Sequence, residues 1–154
     1  MAKRYLTKEK FEELKKELEY LKKVKRKEIA ELLRHTASFG DLSENFAYQQ
    51  AKEEQALLEA KIRKLEEILS QAKILEKSKN KNKVEIGCFV VLELVGKKSK
   101  EKFQIVDPLE ADPLNGKISI NSPLGKELIG KKVGQKVKIK IDSNSVEYRI
   151  VKIE

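Results

Sequence analysis

Two carboxylates, Asp41 and Glu44, stand three residues apart in the stretch FGDLSENFAY that runs from Phe39 to Tyr48. Acids at that spacing can share a hard cation such as Mg²⁺, which accepts few protein ligands and keeps water and phosphate oxygens in its shell. Two carboxylates alone hold such an ion weakly, so a working site needs further ligands from another protein or a nucleic acid. The same spacing also suits a helix start, with Asp41 as N-cap and Glu44 as its partner three residues on, both favoured by the helix dipole. Spacing alone leaves both roles open. Phe39 and Phe46 flank the acids and either cap the segment locally or seat it in a partner's cavity. Elsewhere chemistry-bearing residues are sparse. His35 and Cys88 are the only residues of their kinds, which excludes an internal disulfide, a Cys/His couple, a thiolate zinc site and a hydrolytic triad.

Something stiff must carry those acids. Upstream, an amphipathic stripe runs through Phe11, Leu14, Leu18, Leu21, Ile29, Leu32 and Thr36, with Thr7 in N-cap context. Its steps through 18, 21, 25, 29 and 32 put Lys25 in the stripe and interrupt the heptad, which implies a local relaxation of supercoil. Downstream of Gly40, Tyr48, Ala51, Gln55, Leu58, Ile62, Leu65, Leu69 and Ala72 alternate by three and four. Two such helices joined by a short turn fold back on one another to bury their stripes, which predicts an antiparallel coiled-coil hairpin. Residues 7–38 as one helix would span about 48 Å, with the acids at its far end.

The period then changes. KSKNKNK at 77–83 has no apolar side chain and reads as a linker between a hairpin at 1–76 and a globule at 84–154. Strand-like runs follow at Ile86–Val95, Phe103–Val106, Ile118–Ile120, Val137–Ile141 and Val146–Ile153, separated by Gly96, Asn115-Gly116 and Asp142–Ser145. A short helix is expected around Leu124–Ile129, opening near Pro123 and stopping at Gly130. The fold class is α+β: a helical hairpin followed by a small antiparallel sheet with one short helix.

Composition sets further bounds. The 154 residues carry a net charge of +9, with 38% charged and 6% aromatic residues and no Trp, so a large aromatic-lined pocket has little to build it. No signal-peptide core and no membrane-length apolar run is present, and a reducing, cytoplasmic location is expected. Lys22, Lys23, Lys25, Arg26 and Lys27 form a basic cluster that is either a solvated face or a phosphate contact with steep salt dependence.

The strings GDLSEN at 40–45, Tyr48, AKEEQ at 51–55 and the upstream Arg26, Glu28 and Ile29 resemble the bacterial transcript cleavage factors of the GreA/GreB family. NSPLGKELIGKKVG at 121–134 and VEYRIVKI at 146–153 are similar to that family's second domain, so the resemblance covers essentially the whole chain. It implies a hairpin that enters the secondary channel of bacterial RNA polymerase and an FKBP-like globule at the channel entrance. By that resemblance, Asp41 and Glu44 would help hold a weakly bound Mg²⁺ of the polymerase active site, and the polymerase itself would cut backtracked RNA. The chain would then be no enzyme on its own and would have no cofactor of its own. Its partners would be RNA polymerase and the nascent RNA 3′ end, with DNA met only through the complex and no membrane involved. Phe39, Leu42, Ser43, Asn45, Phe46 and Tyr48 would make tip contacts, and Lys52 would meet RNA phosphate. Ser122, Pro123, Leu124 and Gly125 form either a turn into the short helix or part of a polymerase-docking face.

This chain departs from the family pattern in having Phe46-Ala47 before the tyrosine, where Ala-Glu is usual, and Ala37 where arginine is common. Other functions are set against this one: a channel-binding regulator that inhibits, prolyl isomerisation by the globule, and a coiled-coil adaptor with an inert tip. Phe89, Phe103 and Tyr148 are the globule's aromatic residues and sit at alternating strand positions, which suits a core better than an isomerase pocket.

Overall fold

A computed structural model describes residues 3–40, 44–76 and 82–154 of the chain. These fall into two compact units, one comprising Glu9–Ala72 and the other comprising Arg4–Lys8 with Lys73–Glu154. The units divide at residue 72, and the second recovers five residues from near the N-terminus. Most of the expected linker, residues 77–81, lies outside the described residues.

In the first unit, helix α1 (Lys8–Tyr20) passes through a π-helical turn (Leu21–Lys25) into helix α2 (Arg26–Ala37), and helix α3 (Phe46–Gln71) packs back against α2. Leu14, Leu21 and Thr36 are buried on the first arm, and Ala51, Leu58, Ile62, Leu65 and Ile68 on the second. The π-turn explains where the expected stripe drifts. An α-helix advances about 100° per residue, and a π-turn absorbs roughly one residue without advancing the face. Leu21 and Thr36 are fifteen positions apart, so with one residue absorbed they are about two heptads apart and stay on one face. The same shift turns Leu32 outward, 38% exposed, and brings Leu33 to a half-buried position. Leu32 is therefore not the core residue its spacing suggested. On α3 the stripe runs through Ile68 rather than Leu69, which is half-buried, and Gln55 is exposed.

The second unit opens with strand β1 (Arg4–Leu6), which pairs with β2 (Ala72–Ile74) in a two-stranded sheet. The Leu75 amide donates to the Leu6 carbonyl at 2.8 Å, and Leu6 is fully buried. Arg4 pairs with the buried Asp107 at 3.2 Å. The Thr7 amide and hydroxyl both donate to the Glu110 carboxylate, at 3.0 and 2.5 Å. A strand of three residues carries no alternation to read, so β1 is a feature the sequence pattern could not supply.

The main sheet has the order β5-β4-β3-β7-β6, built from β3 (Phe89–Leu94), β4 (Lys100–Val106), β5 (Lys117–Ser119), β6 (Lys136–Ile141) and β7 (Asn144–Ile153). It is mixed, not wholly antiparallel: β4 and β5 run parallel. Two 3₁₀ turns, Pro108–Glu110 and Pro113–Asn115, carry the chain from one strand to the next. β6 and β7 join through a two-residue turn at Asp142-Ser143, with Asp142 at φ 56° in the left-handed region. Val90, Leu92, Ile105, Ile118, Leu128, Val137 and Ile150 form the core with Cys88, which is 5% exposed and acts as a small hydrophobe. Phe103 and Tyr148 pack against this core. Phe89 instead is 40% exposed beneath the Lys102 ammonium, and Ile141 is exposed.

Helix α4 (Pro123–Leu128) starts as its residues dictate. Ser122 is the N-cap, accepting from the Gly125 amide at 3.0 Å and donating to the Ser119 carbonyl at 2.7 Å, and Pro123 occupies the first turn, where its missing N–H costs nothing. A Cβ on Gly125 would lie 2.0 Å from the Ser119 carbonyl oxygen, so only glycine fits. The turn into a helix is thus what Ser122–Gly125 build.

Candidate functional site

The end of the hairpin is organised by Asn45. Its side-chain oxygen accepts from the Tyr48 amide at 3.1 Å, making it the N-cap of α3, and its side-chain amide donates to the Thr36 carbonyl at 2.5 Å. One residue thus caps the second arm and ties it to the C-terminal end of the first. Thr36 is 3% exposed, its hydroxyl donates to the Leu32 carbonyl at 2.8 Å, and its own carbonyl accepts from both the Asn45 side chain and the Phe39 amide. At the close of α2, Ser38 donates to the His35 carbonyl, Phe39 stands edge-on to His35 with ring centroids 4.9 Å apart, and Gly40 has φ 118°, a backbone that favours glycine.

Of the two roles that spacing left open, this geometry removes the capping one from Glu44: α3 begins at Phe46 with Asn45 as its cap, and Glu44 precedes the cap instead of standing three residues inside the helix. Glu44 is exposed. Asp41, Leu42 and Ser43 lie outside the described residues. Phe46 is 91% exposed, which overturns its reading as a local cap, while Phe39 is 59% exposed. Tyr48 is half-buried with the Lys52 ammonium 5.4 Å from its ring centroid. Glu44, Asn45, Phe46, Gln49, Gln50 and Glu53 line an open groove of about 440 Å³. Among the described residues no group of three or more His, Cys, Asp or Glu side chains is placed to hold a metal ion. The donor chemistry available at this end is carboxylate oxygen, suited to a hard cation whose remaining ligands come from elsewhere.

Residues 4–74 match the family described as "Transcription elongation factor, N-terminal", and residues 79–154 match "Transcription elongation factor, GreA/GreB, C-term". The "Transcription elongation factor GreA" of Thermoanaerobacter pseudethanolicus is 44% identical over 149 residues, covering 96% of this chain and 95% of the relative. The chain belongs to the GreA/GreB family of transcription elongation factors. The GreA factor of Thermosipho melanesiensis is 45% identical, with 97% of this chain and 96% of the relative covered. Among solved structures, GreA factor homolog 1 of Thermus thermophilus is 33% identical over 99% of both chains, with a TM-score of 0.45.

In this Gre-family chain the basic cluster of the first arm is largely spent on ion pairs. Lys22 meets Glu66 at 3.4 Å, Lys23 meets Glu19 at 2.6 Å, Lys25 meets Glu28 at 3.3 Å and Arg26 meets Glu59 at 2.8 Å. The Arg26 pair is bidentate and joins the two arms. That hydrogen bond, with the guanidinium charge adding to it, holds the Glu59 carboxyl below the usual carboxylate range. These exposed pairs favour the solvated-face reading of the cluster, and the two that cross between arms, Lys22–Glu66 and Arg26–Glu59, fix arm register more than they stabilise the fold. Sequence reasoning named Asn45 as a tip contact but missed its strap. The available signal was an Asn three residues before Tyr48 at the first residue of a helical stretch.

Proposed function

We propose that this factor stimulates the endonucleolytic activity of bacterial RNA polymerase on backtracked nascent RNA, acting in trans from the end of its helical hairpin. The supporting observation is that Glu44 sits exposed just ahead of α3 while Asn45 performs the capping, so the carboxylate is not consumed by the fold. Asp41 and Glu44 would act together as oxygen ligands toward the Mg²⁺ of the polymerase active site. An ion held there supplies charge stabilisation for the phosphoryl oxygens and a water of lowered pKa.

The chain's own residues do the positioning. The Asn45–Thr36 strap ties the start of α3 to the close of α2 beside Glu44, so placing that carboxylate costs less ordering entropy on docking. Lys52, one turn along α3 from Tyr48, is the cation offered to RNA phosphate, and DNA is met only within the complex. Because the catalytic ligands are borrowed, the factor is not an enzyme by itself and brings no cofactor. The reaction places it with the transcription machinery in the cytoplasm; no described helix is long and apolar enough to cross a membrane.

The test is a cleavage assay on a stalled, backtracked complex. Wild-type factor should shorten the transcript, and Asp41→Ala and Glu44→Ala should each abolish the shortening while still competing for polymerase. Full cleavage by both variants would overturn the proposal. Inhibition without shortening by the wild type would assign the inhibitory alternative instead.

A further inference from the structure

Phe46, Gln49, Gln50 and Glu53 follow one another at i, i+3, i+4 and i+7 on α3, the spacing that lines up a single helix face. That face is not the one buried in the hairpin, which runs through Ala51, Leu58 and Ile62. It forms the wall of the groove that also contains Glu44 and Asn45. A phenylalanine 91% exposed gains nothing from the fold. Among the described residues, the lining pairs this bare aromatic ring with amide and carboxylate groups and holds no cation.

Those groups suit one class of occupant. A phosphate is disfavoured, because the charged side chains of the groove among the described residues, Glu44 and Glu53, are both acidic. A purely apolar protein surface would leave the Gln50 amide and the carboxylates facing groups that cannot pair with them. An unpaired nucleobase has a π-face to lie on the Phe46 ring and hydrogen-bonding edges for an amide side chain, which is how single-stranded RNA bases are held when splayed out. We infer that the Phe46–Gln50 face of α3 is a base-stacking groove that receives a nucleobase of the extruded RNA segment beside Glu44. This rests on the cleavage function proposed above. It assigns Phe46 as a specificity residue acting on the RNA, with Gln50 reading or steadying the base edge.

Backtracked complexes carrying either a normal base or an abasic ribose at the extruded positions separate the possibilities, with full-length wild-type, Phe46→Ala and Phe46→Tyr factors. With normal RNA, Phe46→Ala should lower kcat/KM for cleavage by about 5- to 150-fold, the range that one base–aromatic stack spans. Phe46→Tyr should stay within about twofold of wild type, since it keeps the ring. With abasic RNA the wild type should fall to the level of Phe46→Ala, and the two rates should converge. Competition for polymerase without RNA should be the same for all three. An equal loss on both RNAs, or weakened competition without RNA, would place Phe46 against polymerase protein and overturn the groove. Normal cleavage by Phe46→Ala, with Glu44→Ala inactive, would overturn the groove and leave the cleavage function standing. A wild-type factor that shortens neither RNA would overturn both.

Discussion

Deleting Lys23 should leave the hairpin as stable as it is, although removal of one residue from a coiled-coil arm ordinarily ruins it. Lys23 lies within the π-turn, its side chain is 72% exposed, and its ion pair is with Glu19 on its own arm. Without it, Leu21 and Thr36 are fourteen positions apart, two heptads of uninterrupted α-helix, so Leu14, Leu21, Ile29 and Thr36 keep one face. The loss is then one exposed, same-arm ion pair, set against the exchange of a π-turn for regular α-helical hydrogen bonding. Deleting Lys64 is the matched control. It also removes an exposed lysine, but it falls between Ile62 and Leu65 in unbroken α-helix, and it swings Leu65 and Ile68 about 100° off the face they share with Leu58 and Ile62. Two buried aliphatic side chains at about 1.5–3 kcal/mol each put the cost near 3–6 kcal/mol. Circular dichroism melts and urea titrations of both variants beside wild type measure the difference. The midpoint of the Lys23 deletion should lie at or above that of wild type, and the Lys64 deletion should unfold early. Equal destabilisation of the two would show that the π-turn does not carry the extra residue.

Two further predictions concern single side chains. Asn45→Ala should lose the cap, worth about 1 kcal/mol, and the strap to Thr36, worth about 0.5–1.5 kcal/mol. Asn45→Asp keeps the cap acceptor and loses only the strap, so it should fall between Ala and wild type in thermal melts; an Asp variant as weak as Ala would mean that the strap carries the whole effect. The Glu154 carboxylate lies 2.6 Å from the Lys102 ammonium and 2.9 Å from that of Lys152. Hydrogen bonding to Lys102 and then to Lys152 lowers its pKa to about 2. A lowered folded-state pKa gives stability that is complete above the ordinary carboxylate value and lost as pH falls toward 2. Glu154→Gln should therefore cost melting temperature at pH 6 and converge with wild type near pH 2; a gap unchanged with pH would refute the assignment.

Much of the architecture was legible because it is periodic. Ala51, Leu58, Ile62 and Leu65 repeat at helical spacing, and Val137 and Ile139 alternate as strand residues, so burial on one face followed from pattern alone. Where two residues could satisfy the same pattern, the sequence could not choose. Leu32 and Leu33 are both apolar, and only the π-turn decides which of them faces the second arm. Asp41 and Asn45 are both good caps by residue type, and spacing alone does not say which of them opens the helix. The parallel β4–β5 pair was hidden because its connection, residues 107–116, holds two 3₁₀ turns in place of a long crossover helix. The exposed Phe46 was visible as a residue but not as a surface, since its partners Gln50 and Glu53 share its face only once the helix start is known.

On the function proposed above, carboxylates from this hairpin complete an ion site that the polymerase holds weakly. The Mg²⁺ concentration needed for half-maximal transcript cleavage by a backtracked complex, measured with saturating wild-type factor, with Glu44→Gln and with no factor, tests it most directly. Wild type should lower that concentration several-fold, and Glu44→Gln should leave it at the factor-free value while competing for polymerase as wild type does. A Glu44→Gln factor that lowers the Mg²⁺ requirement as far as wild type would contradict the account.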